Sequence, residues 1–285
     1  MPLISSRLRH SSNLNDMRKV LLIYRAPQFS PNSVEKDKRI LEAVGDRLQK
    51  QGDSVRYMQE ENFCEEDEAD VYLSMGRLPK TLAILKQRAA AGCITVNSGE
   101  GVERMARLVL DRLMRDHHIP AAPLFDAERE AEGYWLKRGD ASAQSKDDVL
   151  FAKDIDEVNR LMESFRQREI QDVLITEHVR GDLVKFYGVQ GTAFFRYFYP
   201  TDDGDTKFDD EKRNGSAQHY DFPLNDLHAE AERLSVLTDV VVYGGDCIVR
   251  EDGSFVIIDF NDWPSFSRCR EEAAEAIVSK LIVDS

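Results

Sequence analysis

Residues 256–264 read Val256-Ile257-Ile258-Asp259-Phe260-Asn261-Asp262-Trp263-Pro264. The apolar run suits a buried strand, and it ends on two oxygen-bearing side chains shortly before a proline. Asp259 and Asn261 are two residues apart, so on an extended chain both side chains face the same way. Upstream, Cys247-Ile248-Val249 leads through the turn Glu251-Asp252-Gly253-Ser254 into this run, which predicts a hairpin. Asp246 begins the first strand of that hairpin, so three oxygen ligands would converge. Hard cations such as Mg²⁺ take oxygens of this kind and leave other positions for water and phosphate. Asp259 and Asn261 equally suit a plain turn before Pro264. Spacing alone leaves both readings open.

Working outward, the last helix is expected over about 270–281, where Ala274, Ile277, Val278 and Leu281 fall on one face. A helix from about Leu224 to Thr238 precedes the hairpin region, followed by an apolar run at Val240-Val241-Val242-Tyr243. Residues 200–220 are polar, contain glycine and show no period, as in loops that are disordered or functional. Before them, Leu183 to Val189 and Ala193 to Tyr199 form a hairpin about Gln190-Gly191-Thr192. Tyr134 to Lys137, Val149 to Ala152 and Val173 to Glu177 predict closely spaced antiparallel strands, with an amphipathic helix at about 155–168.

The first hundred residues have another rhythm. Lys19 to Tyr24, Val55 to Met58, Val71 to Met75 and Ile94 to Asn97 are strand-like runs. They alternate with helical stretches, the first capped by Ser33 with its stripe at Ile40, Leu41, Val44 and Leu48. This predicts a small parallel sheet with crossover helices. One helix is expected from about Gly101 to His117, ended by Ile119-Pro120-Ala121-Ala122-Pro123. The boundaries are then 1–17, a flexible leader without a secretory signal; 18–98, an N-terminal α/β domain; 99–125, a linking helix; 126–182, a central lobe; and 183–285, a C-terminal lobe carrying the loop 200–220.

The 285 residues include 52 acidic and 38 basic ones, a formal charge of −14. That balance argues against a nucleic-acid partner, which calls for clustered positive charge. No run is long enough for a membrane span. The four cysteines form no Cys-x-x-Cys pair, so the expectation is free thiols, no zinc and a cytoplasmic setting.

Taken together, residues 20–283 resemble the ATP-grasp superfamily. Its metal signature of an Asp, then Asp or Glu followed by x-Asn and a nearby proline, is matched by Asp246, Asp259, Asn261 and Pro264. The resemblance implies an α/β fold of three lobes: a small parallel N-terminal lobe and two α+β lobes with ATP held between the last two. It implies Mg²⁺ as the ion, one or two per site with Mn²⁺ as a substitute. Arg107, where a lysine is commoner, and Lys137 would contact the phosphates. Ile175-Thr176-Glu177-His178-Val179-Arg180-Gly181-Asp182 matches the adenine hinge, so Glu177, His178 and Val179 would meet the adenine and Asp182 the ribose. Lys185 would face the phosphates or substrate.

Two departures stand out. The phosphate-covering loop, residues 138–148, has one glycine, which leaves Ser142 and Ser145 as phosphate contacts. Amino-acid ligases of the superfamily often carry an Arg two residues before the first metal Asp, whereas position 244 is Gly. Arg196 between Phe194 and Phe198 is the candidate replacement, either stacked for structure or held inward toward an anion. Arg268 is a second candidate for substrate contact, and His219 an acid–base candidate or a solvated loop residue.

The resemblance implies an ATP-dependent ligase that activates a small-molecule carboxylate as an acyl phosphate for attack by an amine or thiol. A small-molecule kinase is the alternative, since inositol polyphosphate kinases share the fold and also lack that Arg. A nucleotide-binding protein without catalysis is a third reading. A homodimer is a further expectation.

Overall fold

The computed structural model describes residues 17–29, 34–140, 145–202 and 213–283. The leader up to Asp16, the cap residue Ser33, Ser142 and residues 203–212 of the long loop lie outside the described residues.

Strands β1 (Lys19–Tyr24), β2 (Ser54–Gln59), β3 (Val71–Ser74) and β4 (Ile94–Val96) form a parallel sheet in the order β2-β1-β3-β4. Helices α1 (Val34–Lys50) and α2 (Pro79–Ala90) make the crossovers. β1 is apolar on both faces because both are covered. Val20 and Leu22 pack with Ile40, Leu41 and Val44 of α1, while Leu21 and Ile23 pack with Ile84 and Leu85 of α2.

The single helix expected after β4 is two: α3 (Gly99–Glu103) and α4 (Arg107–Asp116). Ser98 caps α3 by accepting from the Gly101 N–H at 2.9 Å. The break has a tertiary cause. The Leu108 N–H donates to the Gly139 carbonyl at 3.0 Å, docking the start of α4 onto the loop after the next strand.

β5 (Tyr134–Arg138), β6 (Val149–Ala152) and β7 (Val173–Glu177) form an antiparallel sheet in the order β6-β5-β7. Helix α5 (Ile155–Gln167), capped by the Asp154 carboxylate on the Glu157 N–H at 2.8 Å, covers one face through Val158 and Phe165. β8 (Asp182–Val189), β9 (Phe195–Phe198), β10 (Val242–Val249) and β11 (Phe255–Asp262) form the third sheet in the order β11-β10-β8-β9, also antiparallel. Helix α6 (Leu224–Thr238) covers its inner face, and α7 (Arg270–Val283) packs against α1.

The fold is therefore mixed α/β, one parallel and two antiparallel sheets, as the sequence implied. β10 departs from expectation, because it runs unbroken through Gly244-Gly245 and Asp246 sits inside it rather than at its start. No helix among the described residues is long and apolar enough to cross a membrane.

Candidate functional site

One face of the third sheet carries the site. Its ladder sets Lys185, Asp246 and Asp259 directly opposite one another across β8, β10 and β11. The next row on the same face holds Arg196, Tyr187, Gly244 and Asn261. Residues opposed in an antiparallel ladder project to the same side.

Plain alternation would not have produced this row. Ile257 faces the apolar core under α6, and a residue two further on would face it too. The register instead shifts between Asp246 and Cys247, so that Asp246 opposes Asp259 while Cys247 opposes Ile257. Ile258 is the extra residue of a bulge, which turns Asp259 out of the core and toward the cavity. The Ile258 carbonyl, released from the ladder, accepts from Lys137 Nζ at 2.8 Å.

Three cations surround the two carboxylates. Lys185 Nζ lies 3.1 and 3.3 Å from the Asp246 oxygens. Burial would raise the Asp259 pKa, but Arg107 and Lys137, with a hydrogen bond from Asn261, hold it below the usual carboxylate value. Burial in turn lowers Lys137, with Asp259 opposing that shift. Arg107 Nη1 donates to the Arg138 carbonyl at 3.4 Å, while its buried Nε meets no acceptor among the described residues. A buried guanidinium N–H without an acceptor suits an anionic ligand.

Two carboxylates and one amide oxygen match the hard donors Mg²⁺ prefers. No three His, Cys, Asp or Glu converge among the described residues, so an ion here would draw its remaining ligands from water or phosphate. Asp246, Asp259 and Asn261 fit such an ion on chemistry.

The hinge follows β7. The Glu177 N–H donates to the Pro123 carbonyl and that of His178 to the Gly133 carbonyl, both at 2.8 Å. The Val179 side chain joins Ile248 and Val256 in an apolar patch on the cavity face of the third sheet. Trp135 Nε1 donates to His178 Nδ1 at 3.2 Å. Two of the expected nucleotide contacts already have protein partners. The Glu177 carboxylate is taken by Arg129 Nε at 2.5 Å. Asp182 is 3% exposed and accepts from the Gln218 and Tyr220 N–H groups at 2.7 and 2.9 Å, which anchors the end of the long loop.

Other expected residues lie elsewhere. Ser145 is exposed, its N–H on Asp148 Oδ2 at 3.1 Å at a local turn. Arg196 is on the site's face of the sheet but reaches Glu272 of α7, stands 5.5 Å from the Phe194 ring and is not among the residues lining the cavity. Arg268 likewise stands 5.4 Å over the Phe198 ring, outside the cavity lining. His219 is exposed and faces Asp202 at 3.1 Å.

The cavity, about 310 Å³, lies between the first and third sheets. Besides Arg107, Lys185, Asp246, Asp259 and Asn261, it is lined by Arg25, Arg77, Asp262 and Tyr187, none of which sequence reasoning selected. Asp262 follows Asn261 directly in the opening stretch. Arg25 and Arg77 come just after β1 and β3, at the carboxyl ends of parallel strands, where ligands of open sheets collect.

The three sheets in this arrangement have the ATP-grasp fold. Over nearly its whole length the chain is similar to solved ATP-grasp structures. D-alanyl-alanine synthetase A from Vibrio cholerae matches with TM-score 0.68 at 11% identity, covering 94% of this chain and 99% of that one. The ATP-grasp ligase PsnB, complexed with minimal precursor, gives 0.62 at 14%, covering 95% and 100%. A RimK domain ATP-grasp protein from Sphaerobacter thermophilus gives 0.63 at 16%, covering 93% and 99%. No family model and no curated protein sequence matches the chain.

Proposed function

We propose that the chain is an ATP-dependent ligase that activates a small-molecule carboxylate for attack by an amine or thiol. The observation that carries this reading is the convergence of Arg107 and Lys185 on Asp246, Asp259 and Asn261 at one cavity, with Lys137 held beside Asp259 on the Ile258 carbonyl. Similarity to solved ligases supports it at the level of fold. Mg²⁺, when bound, would supply charge compensation between the β- and γ-phosphates of ATP.

The chain's own residues would do the rest by position and charge. Asp246, Asp259 and Asn261 supply the oxygens that hold the ion. Arg107 and Lys137 offset charge on the phosphates. Lys185, 3.1 Å from Asp246, would offset negative charge on the transferred group. The apolar patch of Val179, Ile248 and Val256 would pack against the base and exclude water, with hinge backbone at its edge. The acceptor carboxylate would attack the γ-phosphorus with ADP leaving, and the amine or thiol would then attack the acyl carbon of the resulting acyl phosphate, releasing inorganic phosphate.

The absence of a side chain at Gly244 favours a second reading, a small-molecule kinase. A ligase releases ADP only when an acid and a nucleophile are both present, and also gives free phosphate. A kinase needs one hydroxyl acceptor and gives none. The binding claim has its own test. Wild-type protein should show a rise in melting temperature with Mg-ATP, and Asp259→Ala combined with Asn261→Ala should abolish it. An unchanged rise in the double variant overturns the reading.

A further inference from the structure

The order β2-β1-β3-β4 reverses direction at its centre. From β1 the chain builds outward to β2, then crosses back to add β3 and β4 on the other side. Such a reversal opens a crevice at the carboxyl ends of the two central strands, and open parallel sheets bind ligands there. Arg25 leaves β1 and Arg77 leaves β3 at this point, and both line the cavity that holds Lys185, Asp246 and Asn261.

The two guanidiniums differ in what they have left to give. Arg25 is committed: Nε to the Met75 carbonyl at 3.2 Å, Nη1 to Asp37 at 3.2 Å, and Nη2 to the Asp262 carboxylate at 3.1 Å. Arg77 gives Nη2 to Asp262, but its Nε is buried with no acceptor among the described residues. Glu60, 1% exposed, fixes the base of this loop by accepting from the Arg77 and Leu78 N–H groups at 2.7 and 2.9 Å. A preorganised guanidinium edge with an unmet donor is built for a carboxylate or phosphate oxygen.

Position 244 cannot supply that cation instead. A Cβ there would stand 2.8 Å from Pro264 Cγ and 3.0 Å from both the Phe186 carbonyl and Tyr187 Cδ1.

We propose that Arg77 binds an anionic group of the acceptor at the crevice between β1 and β3, with Arg25 as the positioning residue that holds Asp262 against it. The acceptor is then a small carboxylate or phosphate compound, not a neutral one. This rests on the reading of the cavity as an acceptor pocket, though the anion site can be measured without nucleotide.

The test uses the full chain and four probes: succinate, inorganic phosphate, neutral succinamide and Mg-ATP, each titrated calorimetrically. Wild type should bind succinate or phosphate and ignore succinamide. Arg77→Gln should weaken the anion at least about tenfold, as loss of a charged hydrogen bond does, and Arg77→Lys should recover part of it. All three proteins should bind Mg-ATP alike. Lys137→Met should lose Mg-ATP yet keep the anion, which separates this site from the phosphate cations. Succinate binding tighter than phosphate marks a carboxylate acceptor, and the reverse a phosphorylated one; either supports the site. The proposal is overturned if Arg77→Gln binds both anions as wild type does, or if wild type binds neither. Should Mg-ATP fail on wild type while the anion result holds, the nucleotide reading falls and the Arg77 site stands.

Discussion

At Lys137 a charge is kept in a place where burial pushes the ammonium below its ordinary pKa, with Asp259 pulling the other way. Lys137→Met strands the Ile258 carbonyl and takes one cation from the buried Asp259, so it should melt below wild type without nucleotide and bind Mg-ATP more weakly by at least about 1.4 kcal/mol, a factor of ten; paired melts with and without Mg-ATP decide it. Asp262 is the stability counterpart. Burial would raise its pKa, but Arg77 and Arg25 overcome that and hold it below the ordinary 3.8. A carboxylate depressed in the folded state contributes stability fully above its unfolded pKa, and that contribution is lost as pH falls through the folded value. The melting temperature should thus drop as pH goes below about 4. Asp262→Asn should flatten that acid limb while costing about 3–5 kcal/mol at neutral pH, because it removes the carboxylate that the two buried guanidiniums of Arg25 and Arg77 share.

Among the elements, the hinge after β7 shows how narrowly the backbone is set. Gly181 has φ +146°, and a Cβ there would lie 2.1 Å from the Val249 carbonyl oxygen. Gly181→Ala should cost about 3 kcal/mol through strain and overpacking together, read as a lower midpoint in denaturant. β10 is held at its start by Asn97, whose amide donates to the Val242 carbonyl at 2.9 Å and accepts from the Val242 N–H at 2.8 Å. One buried side chain at the end of β4 thus extends the third sheet's ladder and ties it to the first. The Trp263 indole adds a second tie, donating to the Val96 carbonyl at 3.3 Å.

Over the whole molecule, the first and third sheets are not independent. Val20 and Leu22 of β1 share a core with Val189, Val242, Trp263, Phe266 and Leu281. The β5-β6-β7 sheet keeps a smaller core of its own with α5. Hydrogen exchange should therefore show the first and third sheets opening together, and the β5–β7 lobe at a lower free energy. Leu281→Ala, with a cost of about 2–5 kcal/mol, should speed exchange of β1 amides despite the distance in sequence. Unchanged β1 protection would separate the two cores.

How much of this was legible beforehand follows from the range of the forces involved. The sequence by itself determined the strands, most helices and the change from a parallel to an antiparallel rhythm, because hydrophobic period and turn residues act over a few positions; the division of the later strands between two lobes came from the resemblance. Spacing put Asp246, Asp259 and Asn261 forward as oxygen donors beside the plain turn reading, and resemblance to the superfamily singled them out together with Lys137, Lys185 and Arg107. Tertiary structure alone decided the rest. The bulge at Ile258 that turns Asp259 outward depends on register against β10, and the split between α3 and α4 depends on a hydrogen bond to Gly139. Arg196 reads in sequence as either a stacked structural cation or one held toward an anion, and Glu272, 76 residues away, pairs with it. Arg25 and Arg77 meet Asp262 across 237 and 185 residues. A pairing at that separation leaves no local period, so the pocket's second cation pair became visible only once the sheets were packed together.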